Sequence, residues 1–333
     1  MKTLYCLSLC FLLFSCNNQP HNFETYSTLE KTIYLDEKAQ LAGIQTIDFN
    51  KKGDILITDL GLKQTLLFDN AGKLLKKLSM ESCHPGFNWD PLGAKFSPKG
   101  AILVLMNSPI AAWFNSKGEC LTTTKAEIKM PTMAFVIGKM GDFYMVERNI
   151  NETIVQSYDS LGTQKKSFTS ENSFPNATRA RLSNSIQTGN HNTLIVSLPF
   201  DEWILHYDLN GNLLEKENIE EQGIKFAKKD ITPQQSRNGD IIHFIEDISS
   251  NVNTWFIRDK YISVFFNHFN TKVNPEERYA IIIKDKQSGE QKTIMTNNEK
   301  AFIGANGNLF YATFLPNKEE TKKICPKCGN TMT

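Results

Sequence analysis

Residues 44–78 read IQTIDF-NKKGD-ILITDL-GLKQ-TLLF-DNAGK-LLKKL: four short apolar-rich runs separated by turns that carry Lys52-Gly53 and Ala71-Gly72. Runs of four to six residues rich in β-branched and aromatic side chains, bounded by Gly, Asp and Asn, have the signature of antiparallel strands. A glycine is wanted in each tight hairpin because positive φ is strained for any residue with a Cβ.

The same text is copied downstream. AKFSPKGAILVLM from Ala94 leads to AAWFNSKGECLTT, and AFVIGKMGDFYMVE from Ala134 leads to TIVQSYDSLGTQKKSF. SIQTGNHNTLIVSL from Ser185 leads to EWILHYDLNGNLLEK. The third-strand aromatics Phe68, Phe114, Tyr158 and Tyr207 are 46, 44 and 49 residues apart, and Gly72, Gly118, Gly162 and Gly211 follow them four residues later. A period in the forties with four strands per unit marks propeller blades, whereas a helical solenoid of similar period would space its apolar residues by three and four. A β-sandwich also has short strands and turns, but lacks this long, aligned repeat.

The later copies are looser. A fifth unit starts near Gly239 with DIIHFIED, continues through TWFIRDKYISVFF and ends in YAIIIKDKQSGEQKTI, with Gly289 at the turn. A sixth begins with AFIGANGNLFYATF from Ala301 and then runs into a short Cys-containing tail. The expectation is an all-β propeller of six four-stranded blades, the last irregular and closed by an N-terminal strand at Thr32–Leu35. The expected organisation is a leader over 1–15, a polar tether over 16–28, the propeller over 29–316 and a tail over 317–333.

The leader has Lys2, an apolar run from Leu4 to Phe14, and then Leu13-Phe14-Ser15-Cys16 before polar Asn17-Asn18-Gln19. Eleven apolar residues fall short of the roughly 20 a membrane span needs and suit a signal peptide. The end of the run resembles the bacterial lipobox. That resemblance implies cleavage before Cys16, acylation of its thiol and amine (palmitate among the acyl groups), and, with Asn rather than Asp at position 17, residence at the outer membrane. Several acyl chains, at about 0.8 kcal/mol per buried methylene, give stable anchoring where one is marginal. Leader and blades together resemble the TolB-like, NHL-like six-bladed propeller lipoproteins of Gram-negative bacteria, most of which have no assigned activity.

Bulk composition narrows the function. Lys plus Arg number 37 against 36 Asp plus Glu, a net charge of +1, and a nucleic-acid partner usually demands a basic excess. Hydrophobic residues are 40% and charged residues 22%, ordinary for a globular chain, which is expected to be monomeric. Cys83, Cys120, Cys325 and Cys328 remain after the leader and Cys16, and spacing alone leaves their pairing open.

Linear catalytic signatures (a Ser nucleophile elbow, HExxH, a phosphate-binding Gly-rich loop, an EF-hand) do not occur in the sequence. Cys325-Pro-Lys-Cys328 has the spacing of half a zinc site or a redox pair, but also of a local disulfide or free thiols. No cofactor is expected, zinc being the one candidate. In a propeller, the loops between second and third strands and the blade-to-blade connections share a face. That face would collect Trp89, Arg148, Arg179, Arg181 and Trp203, residue types that commonly anchor recognition. The expected function is an outer-membrane-anchored binding or scaffold module for an envelope protein or glycan. The alternative is an envelope hydrolase or lyase, with Glu147, Arg148, Asp201 and Glu202 converging on the axis.

Overall fold

The computed structural model describes residues 33–126, 128, 134–146, 153–169, 185–189, 192–198, 202–219, 224–226, 247–257, 259–268, 274, 277–296, 300–306 and 309–314. Each blade is a four-stranded antiparallel meander. Blade one comprises β1 (Ile44–Phe49), β2 (Ile55–Asp59), β3 (Gln64–Phe68) and β4 (Leu74–Lys77). Blade two comprises β5 (Pro91–Phe96), β6 (Ile102–Met106), β7 (Ile110–Phe114) and β8 (Cys120–Lys125). Blade three holds β9 (Phe135–Ile137), β10 (Phe143–Val146), β11 (Thr153–Tyr158) and β12 (Gln164–Thr169). In blade four are β13 (Ser185–Thr188), β14 (Thr193–Ser197), β15 (Trp203–Asp208) and β16 (Leu213–Asn218). Blade five has β17 (Ser249–Ile257), β18 (Lys260–Asn267), β19 (Tyr279–Asp285) and β20 (Gln291–Thr296).

Among the described residues the propeller therefore has five four-stranded blades, not six. What was read as the sixth is a two-stranded hairpin, β21 (Lys300–Asn306) and β22 (Leu309–Phe314). In the fifth blade the first strand begins at Ser249, and residues 240–246, taken for its opening strand, lie outside the described residues. First strands adjoin one another from β1 through β17, and β21 lies beside β1.

Burial follows blade stacking. All residues of β2, β3 and β6 are buried, because each sheet is covered on both faces by its neighbours. Outer strands such as β4 and β8 are largely exposed and carry Lys76, Lys77 and Lys125, which blunt their free edges. Phe68, Phe114, Tyr158 and Tyr207 are fully buried, as their periodicity requires. Phe143 stacks on Tyr158 at 5.0 Å between ring centroids, and Phe168 meets Tyr207 at 5.7 Å.

The β3–β4 type of turn repeats atom for atom. Asp69 Oδ1 accepts from the amides of Ala71 and Lys73, both at 2.9 Å. Asn115, Asp159 and Asp208 do the same in blades two, three and four at 2.8–3.0 Å. The glycine that follows takes φ between +75° and +92° in these four turns. It also faces the preceding blade: a Cβ on Gly118 would come 2.6 Å from Leu78, and one on Gly162 would come 2.6 Å from Ala126.

The N-terminal segment differs from expectation in a related way. Residues 33–36 form no strand of a last blade. They lie on the blade-one turn, where Asp36 N donates to Gly72 O at 2.8 Å and a Cβ on Gly72 would meet Tyr34 O at 2.2 Å. This is the place that a preceding blade's outer strand occupies for Gly118 and Gly162. Ile33 and Leu35 pack against the blade-one core.

Of the four thiols left open by spacing, two pair. Cys83, in the blade-one to blade-two connection, is bonded to Cys120 at the start of β8, with Cα atoms 6.0 Å apart.

Gly162→Ala and Gly289→Ala separate the two demands on a turn glycine. Gly289 has φ +71° and nothing within 4 Å of the added Cβ, so only backbone strain of about 1–2 kcal/mol is expected. Gly162, at φ +80°, adds the clash with Ala126 and should lose roughly 2–4 kcal/mol. Urea unfolding midpoints measure both; equal losses would show that the blade-to-blade approach is unimportant.

Candidate functional site

Strand alternation gives the ring two unlike faces. One carries the tight β1–β2 and β3–β4 turns of every blade; the other carries the β2–β3 loops and the blade connections, where the sequence placed recognition. On that second face Trp89 is partly buried against the blade-two core, edge-on to Phe114 at 6.0 Å. Its Nε1 is buried and has no hydrogen-bond partner among the described residues. Trp203 opens β15 and packs against the core between blades three and four. The two indoles thus serve different blades. Arg148, Arg179 and Arg181 lie outside the described residues, as do Cys16, Cys325, Cys328, Glu147 and Asp201. Among the described residues, no group of three or more His, Cys, Asp or Glu is arranged to hold a metal.

Blade five carries a polar ladder towards the same face. Ser249 Oγ donates to Asn267 Oδ1 at 2.7 Å, and Ser250 Oγ shares a hydrogen bond with His268 Nε2 at 2.8 Å. Ser250 is only 4% exposed, so its hydroxyl chiefly satisfies the imidazole rather than greeting solvent. His268 directly follows β18, and burial holds it below the usual imidazole range.

The more open site lies elsewhere, on the tight-turn side between blades four and five. A cleft of about 270 Å³ is walled by Thr193, Ile195, His206, Leu214, Glu215, Phe256, Asp259 and Lys286. Blade four supplies the first five from β14, β15 and β16. Phe256 is the penultimate residue of β17, and Asp259 and Lys286 come from the two turns of blade five. Ile195 and Phe256 continue the apolar packing between these blades, so the cleft is where that packing opens to water.

Its polar groups are already ordered. His206 Nε2 and the Tyr261 hydroxyl are 2.7 Å apart, with the rings edge-on at 5.5 Å. Phe256 stands edge-on to the same imidazole at 6.4 Å. Lys286 pairs with Glu215 and, just below, Lys284 pairs with Glu217 at 2.8 Å and donates to Asn218 O at 2.7 Å. Gln287 Nε2 donates to Asp259 Oδ2 at 3.1 Å.

Burial, then the Lys286 charge, holds His206 below its ordinary range, so the imidazole is neutral at pH 7. The hydrogen bond from Lys286 holds the Glu215 carboxyl low, and burial pushes the Tyr261 phenol up. The cleft thus offers an aromatic edge, a neutral imidazole, a lysine and two carboxylates within one small volume. Those groups suit hydrogen bonding to a compact polar molecule. Sequence reading passed over all of them, because they come from two blades and no local spacing unites them.

No protein-family model matches this sequence, and no curated protein does. Among solved structures it is similar to a DUF4221 family member from Bacteroides vulgatus, with a TM-score of 0.57, 12% identity, and coverage of 79% of this chain and 84% of that one. A candidate exported protein from Bacteroides fragilis gives a TM-score of 0.57 at 12% identity, covering 79% of this chain and 74% of that one. A Bacteroides caccae protein of unknown function gives 0.50 at 13% identity, over 77% and 81% of the two chains. At such identities the likeness shows the fold alone. The TolB-like and NHL-like resemblance is accordingly met at the level of the propeller, not of the family.

The depressed histidine fixes a pH dependence. A folded pKa below the unfolded value of about 6.5 means that the native state binds fewer protons across that interval. The contribution is complete above about pH 6.5 and is lost as pH falls through the folded value. Urea midpoints should therefore drop between pH 8 and pH 5. His206→Gln should flatten part of that slope, with His268 responsible for the remainder. An unchanged slope in His206→Gln would mean that His206 titrates normally in the fold.

Proposed function

We propose that this chain is an exported, lipid-anchored propeller that binds a glycan of the cell envelope in the cleft between blades four and five, without transforming it. The carrying observation is the cleft itself: about 270 Å³, with Phe256 beside His206, Glu215, Asp259 and Lys286. That volume admits a sugar-sized group and is too small for a protein surface element. Sugar hydroxyls need interleaved donors and acceptors, and the Glu215–Lys286 pair supplies both at fixed positions.

Export is supported by three separate features. The apolar leader ends at Cys16; Cys83 and Cys120 are joined, as an oxidising compartment favours; and one of the similar folds is a candidate exported protein. Acylation of Cys16 would hold the ring at a bilayer, and the outer membrane is the membrane that Asn17 favours.

Calorimetry of the purified chain against envelope oligosaccharides tests the ligand. Leu214→Trp enlarges a 57% exposed side chain on the cleft wall, so the thermal midpoint should stay put while affinity falls at least tenfold. A panel without any binder, or binding indifferent to this substitution, refutes the glycan reading. Cys16→Ser should move the protein out of the acylated membrane fraction; continued palmitate labelling would refute the anchor.

A further inference from the structure

Outside the cleft, the tight-turn face is divided in a way the glycan does not use. In blades one to three the turn tips are Lys51, Lys52, Lys73, Lys99, Lys117 and Lys139, all exposed and none ion-paired with a described residue. Apolar side chains stand among them: Tyr34 is 66% exposed on the blade-one turn, Met140 84% and Leu161 63% on the two turns of blade three. Those two turns touch, since a Cβ on Gly141 would lie 3.7 Å from Ser160. Leu75 and Leu121, also exposed, sit one residue into the outer strands β4 and β8.

The carboxylates of the same turns are engaged at their bases. Asp69 and Asp159 accept turn amides, Asp54 and Glu119 accept from Asn50 and Asn115, and Asp142 pairs with Lys165 at 3.6 Å. In blades four and five the described turns present Asn210, Asn212, Asp259, Gln287 and Ser288, and their lysines are paired, Lys260 with Asp285 and Lys286 with Glu215. On the opposite face only Ile44 and Leu62 are exposed large apolar residues among those described.

We infer that the turn tips of blades one to three rest on a bilayer carrying anionic phospholipid, with the blade-four and blade-five cleft tilted clear of it. Lysines ringing scattered apolar tips fit a headgroup layer: the ammonium groups meet phosphates, and Tyr34, Met140 and Leu161 reach the acyl boundary. The entry of the chain points the same way. Residues 33–36 lie on the Gly72 turn, so the described chain enters the ring on this same side. The inference rests on the lipid-anchored reading.

Single added tryptophans report the face, measured against the four native ones. The full chain is reconstituted in phosphatidylethanolamine–phosphatidylglycerol vesicles with brominated acyl chains. Met140→Trp and Leu161→Trp should lose at least twice the fraction of added emission that Leu62→Trp loses. Combining Lys51→Glu, Lys99→Glu and Lys139→Glu should remove the difference. Equal quenching at the two faces, or stronger quenching at Leu62→Trp, overturns the inference. The mass of the N-terminal peptide reads the anchor separately: an unmodified Cys16 with the same quenching pattern refutes acylation and leaves the face assignment standing.

Discussion

The spacing of blades two, three and four against their predecessors depends on the missing Cβ of one turn glycine in each. At Gly118, Gly162 and Gly211 the backbone of the β3–β4 type turn comes against the outer strand of the preceding blade, at Leu78, Ala126 and Phe168. A methyl group there would meet atoms at 2.6–2.7 Å, a separation that demands movement of the neighbour. The positive φ is secured by the Asp or Asn three residues earlier, whose carboxylate or amide oxygen gathers two turn amides. Capping makes the turn, the turn places the glycine, and the glycine lets the blades close on their aromatic cores. Gly72 extends the rule to the chain's beginning, because Ile33 and Tyr34 take the position that an outer strand holds elsewhere.

That chain of dependence explains which parts of the fold could be read from the residues. The aromatic–glycine interval was visible because both ends are chemically unusual and recur at nearly constant distance. Asp69, Asn115, Asp159 and Asp208 stood in plain sight between them, yet polar residues in turns are common, and their shared hydrogen-bond pattern appears only with coordinates. The six-blade count failed where the motif failed. After Phe314 no further aromatic–Asp/Asn–x–x–Gly unit occurs in the sequence. The closing strand at Thr32–Leu35 was sought as a β-ladder partner. Its described residues instead pack on the blade-one core, and the following Asp36 N donates to Gly72 O.

The cleft was illegible for a different reason. His206 and Glu215 are separated from Phe256, Asp259 and Lys286 by most of a blade, and they converge only because β15 and β16 face β17 and the turns of blade five. Within the sequence, His206 sits in an alternating strand where a buried imidazole is the ordinary expectation. Burial does describe it; what matters is the hydrogen bond to Tyr261 and the ion pair beside it. Exposed Trp and Arg were the better guess from residue type, but Trp89 and Trp203 show how readily an indole is absorbed into the wall between blades.

Polarity across the ring links these observations. A propeller with identical blades would present the same chemistry all around its rim, and any directional behaviour must come from departures between copies. Here the departures are concentrated. Blades one to three keep unpaired lysine at the described turn tips with apolar neighbours, while the described turns of blades four and five present Asn, Gln, Ser and Asp and hold their lysines in pairs, Lys260 with Asp285 and Lys286 with Glu215. The cleft belongs to the second group and the chain's entry point to the first. If the scaffold alone had shaped these turns, lysine would be as frequent at Asn210 or Ser288 as at Lys117 or Lys139, since the backbone hydrogen bonds at the first of these are the same. The bilayer-facing reading assigns that separation to what each half of the rim touches.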